Sequence, residues 1–148
     1  MKFVIANDHG GLSLVKTVES TLLKLGNEVE HLGSFDENSV DYPDFAQKAC
    51  KKILENKADF AVLICGTGIG MSIAANKIKG IRAAAVSETY SAKMSRRHND
   101  ANVLCLGARV IGTETCKEIV EAFANEKFEG QRHINRLNKI KLLEEKYV

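Results

Sequence analysis

The hydrophobic pattern of this chain changes period several times. Residues 2–7 form a short apolar run, and apolar side chains then recur every three or four residues from Leu12 to Leu25, just before Gly26. The first pattern predicts a buried strand. The second predicts an amphipathic helix that ends at the glycine.

The rest of the sequence also divides into alternating strands and helices. Further strands are predicted at residues 28–32, 60–64, 82–86 and 102–106. Helices are predicted at about 42–55, 73–77, 88–97 and 113–125, with a charged helix from Arg132 almost to the end. This alternation indicates an α/β protein whose parallel sheet is covered on both faces. We find no repeat or linker and expect one domain over residues 1–148.

Composition narrows the classes of function. Of the 148 residues, 45% are hydrophobic and 27% are charged, with a net charge of +2. This charge is too small to indicate a nucleic-acid surface. The sequence shows no signal peptide, and no apolar run reaches the roughly 18 residues of a membrane span. The four cysteines lack metal-ligand or disulfide spacing, so we expect a cytoplasmic protein in which Cys50, Cys105 and Cys116 are core residues.

The run Cys65–Ser72, with the sequence CGTGIGMS, connects the third predicted strand to a helix. Its alternate glycines let the backbone approach a ligand, and the helix N-terminus adds partial positive charge. We therefore predict a site for an anion or a developing oxyanion, whose field favours the thiolate of Cys65. The run does not match a P-loop, a dinucleotide fingerprint, a Cys-dependent phosphatase loop or a redox pair. The alternative is a buried cysteine followed by a connecting turn.

Chemically versatile residues follow several strands of the predicted sheet. The carboxyl ends of parallel strands meet at one edge, where ligands bind. The segments expected there are Asp8–Gly11, Cys65–Ser72, Ser87–Glu88 and Gly107–Arg109. His98–Asp100 instead precedes the fifth strand and belongs at the opposite edge. A second subunit would solve the problem of bringing His98 to Cys65.

Several polar side chains have two interpretations. Asp8 and His9 can orient a sugar hydroxyl or exchange a proton, or they can be a helix cap and a solvated imidazole. Arg132 and Arg136 share a helix face that suits a phosphate, or they form a solvated basic face. His31 is expected to be structural.

Two other arginines, Arg96 and Arg97, are expected to be solvated. Taken together, the residues predict an α/β enzyme with an activated thiol and an anion-stabilising loop. Such a thiolate can attack a carbonyl or remove a proton α to one, and the residues alone leave both reactions open.

Six segments also resemble motifs of a known family. They are Asp8–Gly11, Asp41–Pro43, Cys65–Lys77, Gly80–Ala83, Ser95–Arg96 and His98–Leu104. They resemble the type B ribose-5-phosphate isomerases, whose family includes galactose-6-phosphate and allose-6-phosphate isomerases. The sequence matches the members that use a cysteine base. The resemblance implies a Rossmann-like three-layer α/β/α sandwich with five parallel strands and an extended C-terminal helix.

The resemblance implies interconversion of ribose 5-phosphate and ribulose 5-phosphate in the pentose phosphate pathway, with no metal or organic cofactor. Cys65 would be the general base, Thr67 would assist it, and His98 would open the furanose ring. The other implied substrate contacts are Asp8, His9 and Asn99 at sugar oxygens, Arg109, Arg132 and Arg136 at the phosphate, Tyr42, and the loop residues Gly66, Gly68, Ile69 and Gly70. The active sites would be shared within a homodimer or a dimer of dimers.

Three other functions compete with this one. A 6-phosphohexose isomerase needs a pocket larger by one carbon, which a sequence does not reveal. The presence of Cys65, Thr67 and His98 argues against a non-catalytic phosphosugar-binding module. A thiol oxidoreductase is disfavoured because Cys65 lacks a partner cysteine.

Overall fold

The structure, a computed structural model, describes residues 1–147. Its sheet has five strands in the order β2-β1-β3-β5-β4, and all neighbours are parallel. The strands are β1 (Lys2–Asn7), β2 (Glu28–His31), β3 (Phe60–Cys65), β4 (Ala83–Ala85) and β5 (Val103–Gly107). Their carboxyl ends therefore share one edge, as the sequence predicts.

Six α-helices connect or follow these strands. They are α1 (Leu12–Lys24), α2 (Tyr42–Leu54), α3 (Ile69–Ala75), α4 (Thr89–Arg97), α5 (Thr113–Asn125) and α6 (Arg132–Lys146). A single 3₁₀ turn covers His9–Gly11 between β1 and α1. No helix within residues 1–147 is both long and apolar enough to cross a membrane.

The sheet is packed on both faces because successive side chains of each strand point to opposite sides. On one face, α1, α4 and α5 cover Phe3, Ile5, Val62, Ile64, Leu104 and Leu106. On the other face, α2 and α3 cover Val4, Ala6, Leu63, Cys65, Val103 and Cys105. This three-layer arrangement confirms the predicted α/β/α sandwich.

The predicted element bounds agree with the structure to within about two residues, except at α3. This helix begins at Ile69, four residues before the predicted start near Ile73. Gly68 has φ +78°, a left-handed conformation that turns the chain sharply into the helix. Gly70 therefore lies in the first helical turn. The helix N-terminus is closer to Cys65 than the sequence suggests.

Helix α6 is the extended C-terminal helix and lies against the 79–82 segment of its own chain. The Gly80 N–H donates to the Glu144 carboxylate at 3.3–3.4 Å, and Lys79 pairs with Glu145 at 3.9 Å. Much of its apolar surface stays exposed, including Ile134, Ile140, Leu142 and Leu143.

Candidate active site

Cys65 is the last residue of β3 and pairs in register with Gly107 of β5 at the carboxyl edge. Its Sγ accepts a hydrogen bond from the Gly68 backbone N–H at 3.1 Å. The next residue, Ile69, begins α3. The thiol thus lies at the positive end of a short helix and receives a backbone donor.

The other three cysteines have different surroundings. Cys50, Cys105 and Cys116 are fully buried, which confirms that they are core residues. Burial raises the pKa of Cys50 to about 12 and that of Cys116 to about 11, and it raises the pKa of Cys105 well above the ordinary range. These three thiols stay protonated at neutral pH.

The loop that follows Cys65 is packed tightly onto the end of β5. The Cys65 carbonyl accepts from the Ala108 N–H at 2.9 Å, and the Gly66 carbonyl accepts from the Arg109 N–H at 3.0 Å. A Cβ on Gly66 would lie 3.4 Å from Arg109 Nη1, so the guanidinium of Arg109 packs over this glycine. The predicted phosphate ligand Arg109 is therefore next to the loop.

The Thr67 side chain projects from the exposed top of this loop. Its Oγ1 accepts a hydrogen bond from the Ile69 N–H at 3.3 Å. A hydroxyl that accepts in this way still has a proton to donate. Thr67 can therefore contribute a donor at the mouth of the site.

Asp8 lies beside the same loop. Its backbone N–H donates to the Ile64 carbonyl at 3.1 Å, and its side chain is 7% exposed. A Cβ on Gly10 would be 3.3 Å from Asp8 Oδ1 and 3.2 Å from the Gly66 nitrogen. Oδ1 has no hydrogen-bond partner among the described residues, and the side chain makes no cap bond. A buried acceptor without a partner suits a substrate hydroxyl better than the alternative cap role.

His9 and Tyr42 complete this group of residues. Nδ1 of His9 accepts from the Val40 N–H at 3.3 Å, which assigns the proton to Nε2. A Cβ on Gly70 would meet the Tyr42 ring at 2.8 Å, so this ring packs directly on α3. We call Asp8, His9, Tyr42, Cys65–Gly70 and Arg109 the thiol half-site.

His31, which the sequence marks as structural, lies outside this group. Its Nε2 is 2.7 Å from Asn7 Oδ1, and its ring meets Phe35 edge-on. Burial lowers the pKa of this imidazole. These contacts confirm the structural interpretation.

His98 is the C-cap of α4, which runs back from the carboxyl edge to the opposite edge of the sheet. Its ring stacks on His133 with centroids 4.3 Å apart. The carboxylate of Glu129 lies 3.7 Å from His98 Nε2 and 3.8 Å from His133 Nε2. Arg136 Nη1 is 3.5 Å from His133 Nδ1. We call His98, Asn99, Glu129, Arg132, His133 and Arg136 the histidine half-site.

Glu129 and His133 were missed in the sequence analysis. Their spacing of four residues, next to the predicted phosphate arginines, was the available signal. Burial, and then the positive charges nearby, lower the pKa of His133.

The same cluster contains three groups of the kind that ligate metals. The candidate ligand atoms of His98, Glu129 and His133 lie within 4.8 Å of one another, although sequence spacing predicted no metal cluster. The two rings are within 11° of parallel, so their in-plane lone pairs cannot converge on one ion. Arg97 and Arg136 add positive charge. This arrangement suits an anion better than a cation.

The prediction that Arg96 is solvated is wrong. This residue is 7% exposed, and its guanidinium lies 4.5 Å above the Phe60 ring. Nη1 donates to Asp100 Oδ1 at 2.9 Å and to the Ala101 carbonyl at 2.7 Å. The aromatic face and these acceptors replace water around the charge. Arg97 remains partly exposed but is paired with Glu129.

Asn99 is held in the turn between α4 and β5. Arg82 Nε donates to the carbonyls of Asn99 and Asp100 at 3.0 Å each, and Arg82 Nη2 pairs with Asp100 Oδ2 at 3.0 Å. The Asn99 side chain is left exposed beside His98. It therefore belongs to the histidine half-site.

The chain brings the predicted site residues together as two groups rather than one. Cys65 is at the carboxyl end of β3, whereas His98 precedes the amino end of β5. Among residues 1–147, no hydrogen bond or ion pair joins the two half-sites. This arrangement matches the separation expected from the sequence.

Comparison with known proteins finds similar sequences along almost the whole chain. A model of the ribose/galactose isomerase family matches residues 3–140. Ribose-5-phosphate isomerase B of Escherichia coli (strain K12) is 42% identical over 145 residues, which cover 98% of this chain and 97% of that protein.

Two solved structures are similar in fold and sequence. Ribose-5-phosphate isomerase B of Clostridium thermocellum has a TM-score of 0.97 and 46% identity, with 100% of both chains covered. That of Mycoplasma genitalium, solved with bound ribulose-5-phosphate, has a TM-score of 0.92 and 40% identity, covering 99% of this chain and 97% of that one. The chain therefore belongs to the ribose/galactose isomerase family, as an isomerase of the ribose-5-phosphate isomerase B type.

Proposed function

We propose that this protein interconverts ribose 5-phosphate and ribulose 5-phosphate through an enediolate, with Cys65 as the general base. The observation that carries the proposal is the Cys65 thiol at the start of α3, where its Sγ accepts the Gly68 N–H at 3.1 Å. A relative solved with bound ribulose-5-phosphate supports the choice of substrate.

The proton transfers follow from this geometry. In the open-chain aldose, Cys65 removes the proton from C2, and the C–H electrons form the C1–C2 double bond as the carbonyl oxygen takes the negative charge. The hydroxyl proton on O2 then passes to O1, so the negative charge moves to O2, and return of the abstracted proton to C1 leaves the carbonyl of the ketose at C2. Backbone amides of residues 66–70 stabilise the enediolate, and Thr67 assists. Losing one such donor typically costs about 3 kcal/mol of transition-state stabilisation.

Substrate orientation is assigned to side chains of both half-sites. Asp8 Oδ1, which is buried and without a partner, accepts a sugar hydroxyl, and His9 and Tyr42 contact the substrate beside it. Asn99 contacts a sugar oxygen from the histidine half-site. The phosphate is held by Arg109, Arg132 and Arg136, whose guanidinium groups donate several charge-assisted hydrogen bonds.

We propose that residues 1–148 act as one domain and that two copies share each active site. His98, which opens the furanose ring, and Arg132 and Arg136 would then come from the partner of the chain that supplies Cys65. The exposed apolar residues of α6 support this arrangement. A groove of about 440 Å³ beside α6, lined in part by Phe128, Ile134 and Leu137, offers further surface to a partner. A homodimer or a dimer of dimers would satisfy this geometry.

The proposed reaction needs no organic redox cofactor, because the oxidation at C2 and the reduction at C1 balance within one substrate. It needs no metal, because the donors of the Cys65 loop stabilise the enediolate charge. We place the enzyme in the cytoplasm, in the pentose phosphate pathway. The free thiols of Cys50, Cys65, Cys105 and Cys116 support a reducing compartment.

The test is an assay of purified protein with ribose 5-phosphate, with ribulose 5-phosphate measured as product. We expect turnover that survives exhaustive chelation and is lost in Cys65→Ala. Tight binding of the sugar phosphate without turnover would identify a binding module instead. Loss on chelation with recovery on adding a divalent ion would overturn the metal-free mechanism.

A second candidate substrate is a 6-phosphohexose, because the matching family description also names galactose. The same thiol and histidine chemistry would apply, with one more carbon between the reacting carbons and the phosphate. Comparing kcat/KM for ribose 5-phosphate with that for galactose 6-phosphate and allose 6-phosphate decides between them.

A further inference from the structure

Glu129 has no role in the reaction described above, yet its carboxylate faces the imidazoles of both His98 and His133. We propose that Glu129 is a positioning residue for ring opening, which holds His98 against the buried His133 ring in the orientation that proton transfer needs. This inference rests on the proposed role of His98.

The Glu129 carboxylate is itself fixed before it meets the histidines. Arg97 Nε donates to Glu129 Oε1 at 2.6 Å, Arg97 Nη2 pairs with the same oxygen, and the Glu129 N–H donates to the Arg97 carbonyl at 3.0 Å. The Arg97 hydrogen bond holds the pKa of Glu129 below its usual range. Since Oε1 is occupied by Arg97, Oε2 is left for the imidazoles.

Oε2 lies almost midway between the two rings, at 3.7 Å from His98 Nε2 and 3.8 Å from His133 Nε2. One carboxylate oxygen is therefore nearly equidistant from the two imidazole nitrogens, at the range of a charge contact rather than of a hydrogen bond. His133 is 5% exposed, whereas about a third of the His98 side chain is accessible. The buried His133 ring thus gives His98 a fixed surface to stack on, and the accessible His98 ring is the one that a substrate can reach.

Arg136 fixes the tautomer of His133. A guanidinium can only donate, so His133 Nδ1, 3.5 Å from Arg136 Nη1, acts as acceptor. The proton of neutral His133 is then on Nε2, which faces Glu129 Oε2. The charged group beside His98 is Glu129, which is itself paired with Arg97, and His133 is stacked against the His98 ring. Arg132 and Arg136 add positive charge on the side of His133.

Ring opening is the step that depends on this orientation. Opening a furanose requires a proton to reach the ring oxygen while the C1 hydroxyl loses one, so the imidazole must face both oxygens. The later proton transfer at C1 and C2 belongs to Cys65. A positioning defect at His98 therefore slows one step and spares the other.

Two readouts separate these steps. Ribulose 5-phosphate cannot form a furanose because its C5 oxygen carries the phosphate, so deuterium incorporation at its C1 from D₂O reports Cys65 chemistry without ring opening. Turnover of ribose 5-phosphate requires both steps. We would measure both in Glu129→Gln, which keeps the side-chain shape, and in Glu129→Ala. The control is Glu126→Gln, which removes a carboxylate 3.9 Å from Arg97 that is not paired with either imidazole.

We expect both Glu129 variants to lose turnover of ribose 5-phosphate on the order of tenfold, with deuterium incorporation within about a factor of two of wild type. Glu126→Gln should match wild type in both. Equal loss of both readouts, or no loss of turnover, would overturn the positioning role. His98→Asn is the reference: if it loses neither readout or both equally, the proposed role of His98 fails independently of Glu129.

Discussion

The two half-sites are held in place by different parts of the chain. The thiol half-site is mostly backbone: glycines, main-chain amides and the N-terminus of α3 hold Cys65 at the edge of the sheet. The histidine half-site is mostly side chain, and its order comes from the ion pair of Arg97 with Glu129 and the stacking of His98 on His133.

This difference predicts which kind of substitution should inactivate each half-site. Close backbone packing leaves no room for an added Cβ, so the thiol half-site should fail on small steric changes. A cluster of partly exposed charges tolerates small changes in shape but depends on charge and on salt. The following experiments test that distinction, beginning with the largest expected effect.

Replacing the base should have the largest effect. Cys65→Ala should lower turnover of ribose 5-phosphate on the order of a thousandfold, because general acid–base catalysis typically contributes 10²–10⁴-fold. Binding of the sugar phosphate, measured by calorimetry, should persist. Cys116→Ala is the control, since burial raises the pKa of that thiol to about 11 and it lies in the core. Near-normal turnover in Cys65→Ala would remove the distinction between this thiol and the others.

A single methyl group should test the steric sensitivity of the loop. A Cβ on Gly107 would lie 2.7 Å from the Thr67 carbonyl carbon and oxygen, so Gly107→Ala must displace the loop. A displacement of about 1 Å can cost on the order of a hundredfold in rate. Gly112→Ala is the matched control, because nothing lies within 4 Å of the added Cβ. Equal kinetics in the two variants would show that the loop is not held rigidly.

Sequence periodicity predicted most of the fold because each strand and helix carries its own apolar pattern. The start of α3 was missed because Gly68 and Gly70 look like one continuous loop, whereas the left-handed φ of Gly68 begins the helix. The burial of Arg96 was missed for a different reason. Its partners, Phe60 and Asp100, come from separate elements, and only the tertiary packing brings them together.

The site shows the same limit. The Cys65 loop was visible in the sequence because its residues are contiguous. The cluster of His98 with Glu129 and His133 was not, because it joins the end of α4 to residues about 30 positions later. Local chemistry can be predicted from local sequence, whereas a site assembled from distant side chains requires the fold.

Charge removal in the histidine half-site should have a smaller effect than either change in the loop. Arg136→Ala should raise KM for ribose 5-phosphate at least about tenfold, because a hydrogen bond to a charged group contributes about 1.5–3 kcal/mol. Lys139→Ala removes a positive charge from the same helix and should leave KM within about twofold. Steady-state kinetics at two salt concentrations would measure both effects. Unchanged kinetics in Arg136→Ala would make this arginine a surface charge.

The smallest expected signal tests whether the two half-sites meet across a subunit boundary. Cys65→Ser and His98→Asn should each be nearly inactive alone. In a mixed dimer, one site carries both defects, and the other joins an intact Cys65 to an intact His98. Random exchange makes about half of the dimers mixed, each with one working site of two, so roughly a quarter of wild-type activity should return.

This recovery needs subunit exchange, so the two variants must be co-expressed or refolded together, and the mixed dimers verified by differential tags. Mixing folded proteins without exchange is the control and should restore nothing. Recovery cannot arise from either variant alone, because each homodimer lacks one of the two groups at every site. If verified mixed dimers stay inactive, Cys65 and His98 act from the same chain, and the separation of the half-sites would have to close by a rearrangement within one subunit.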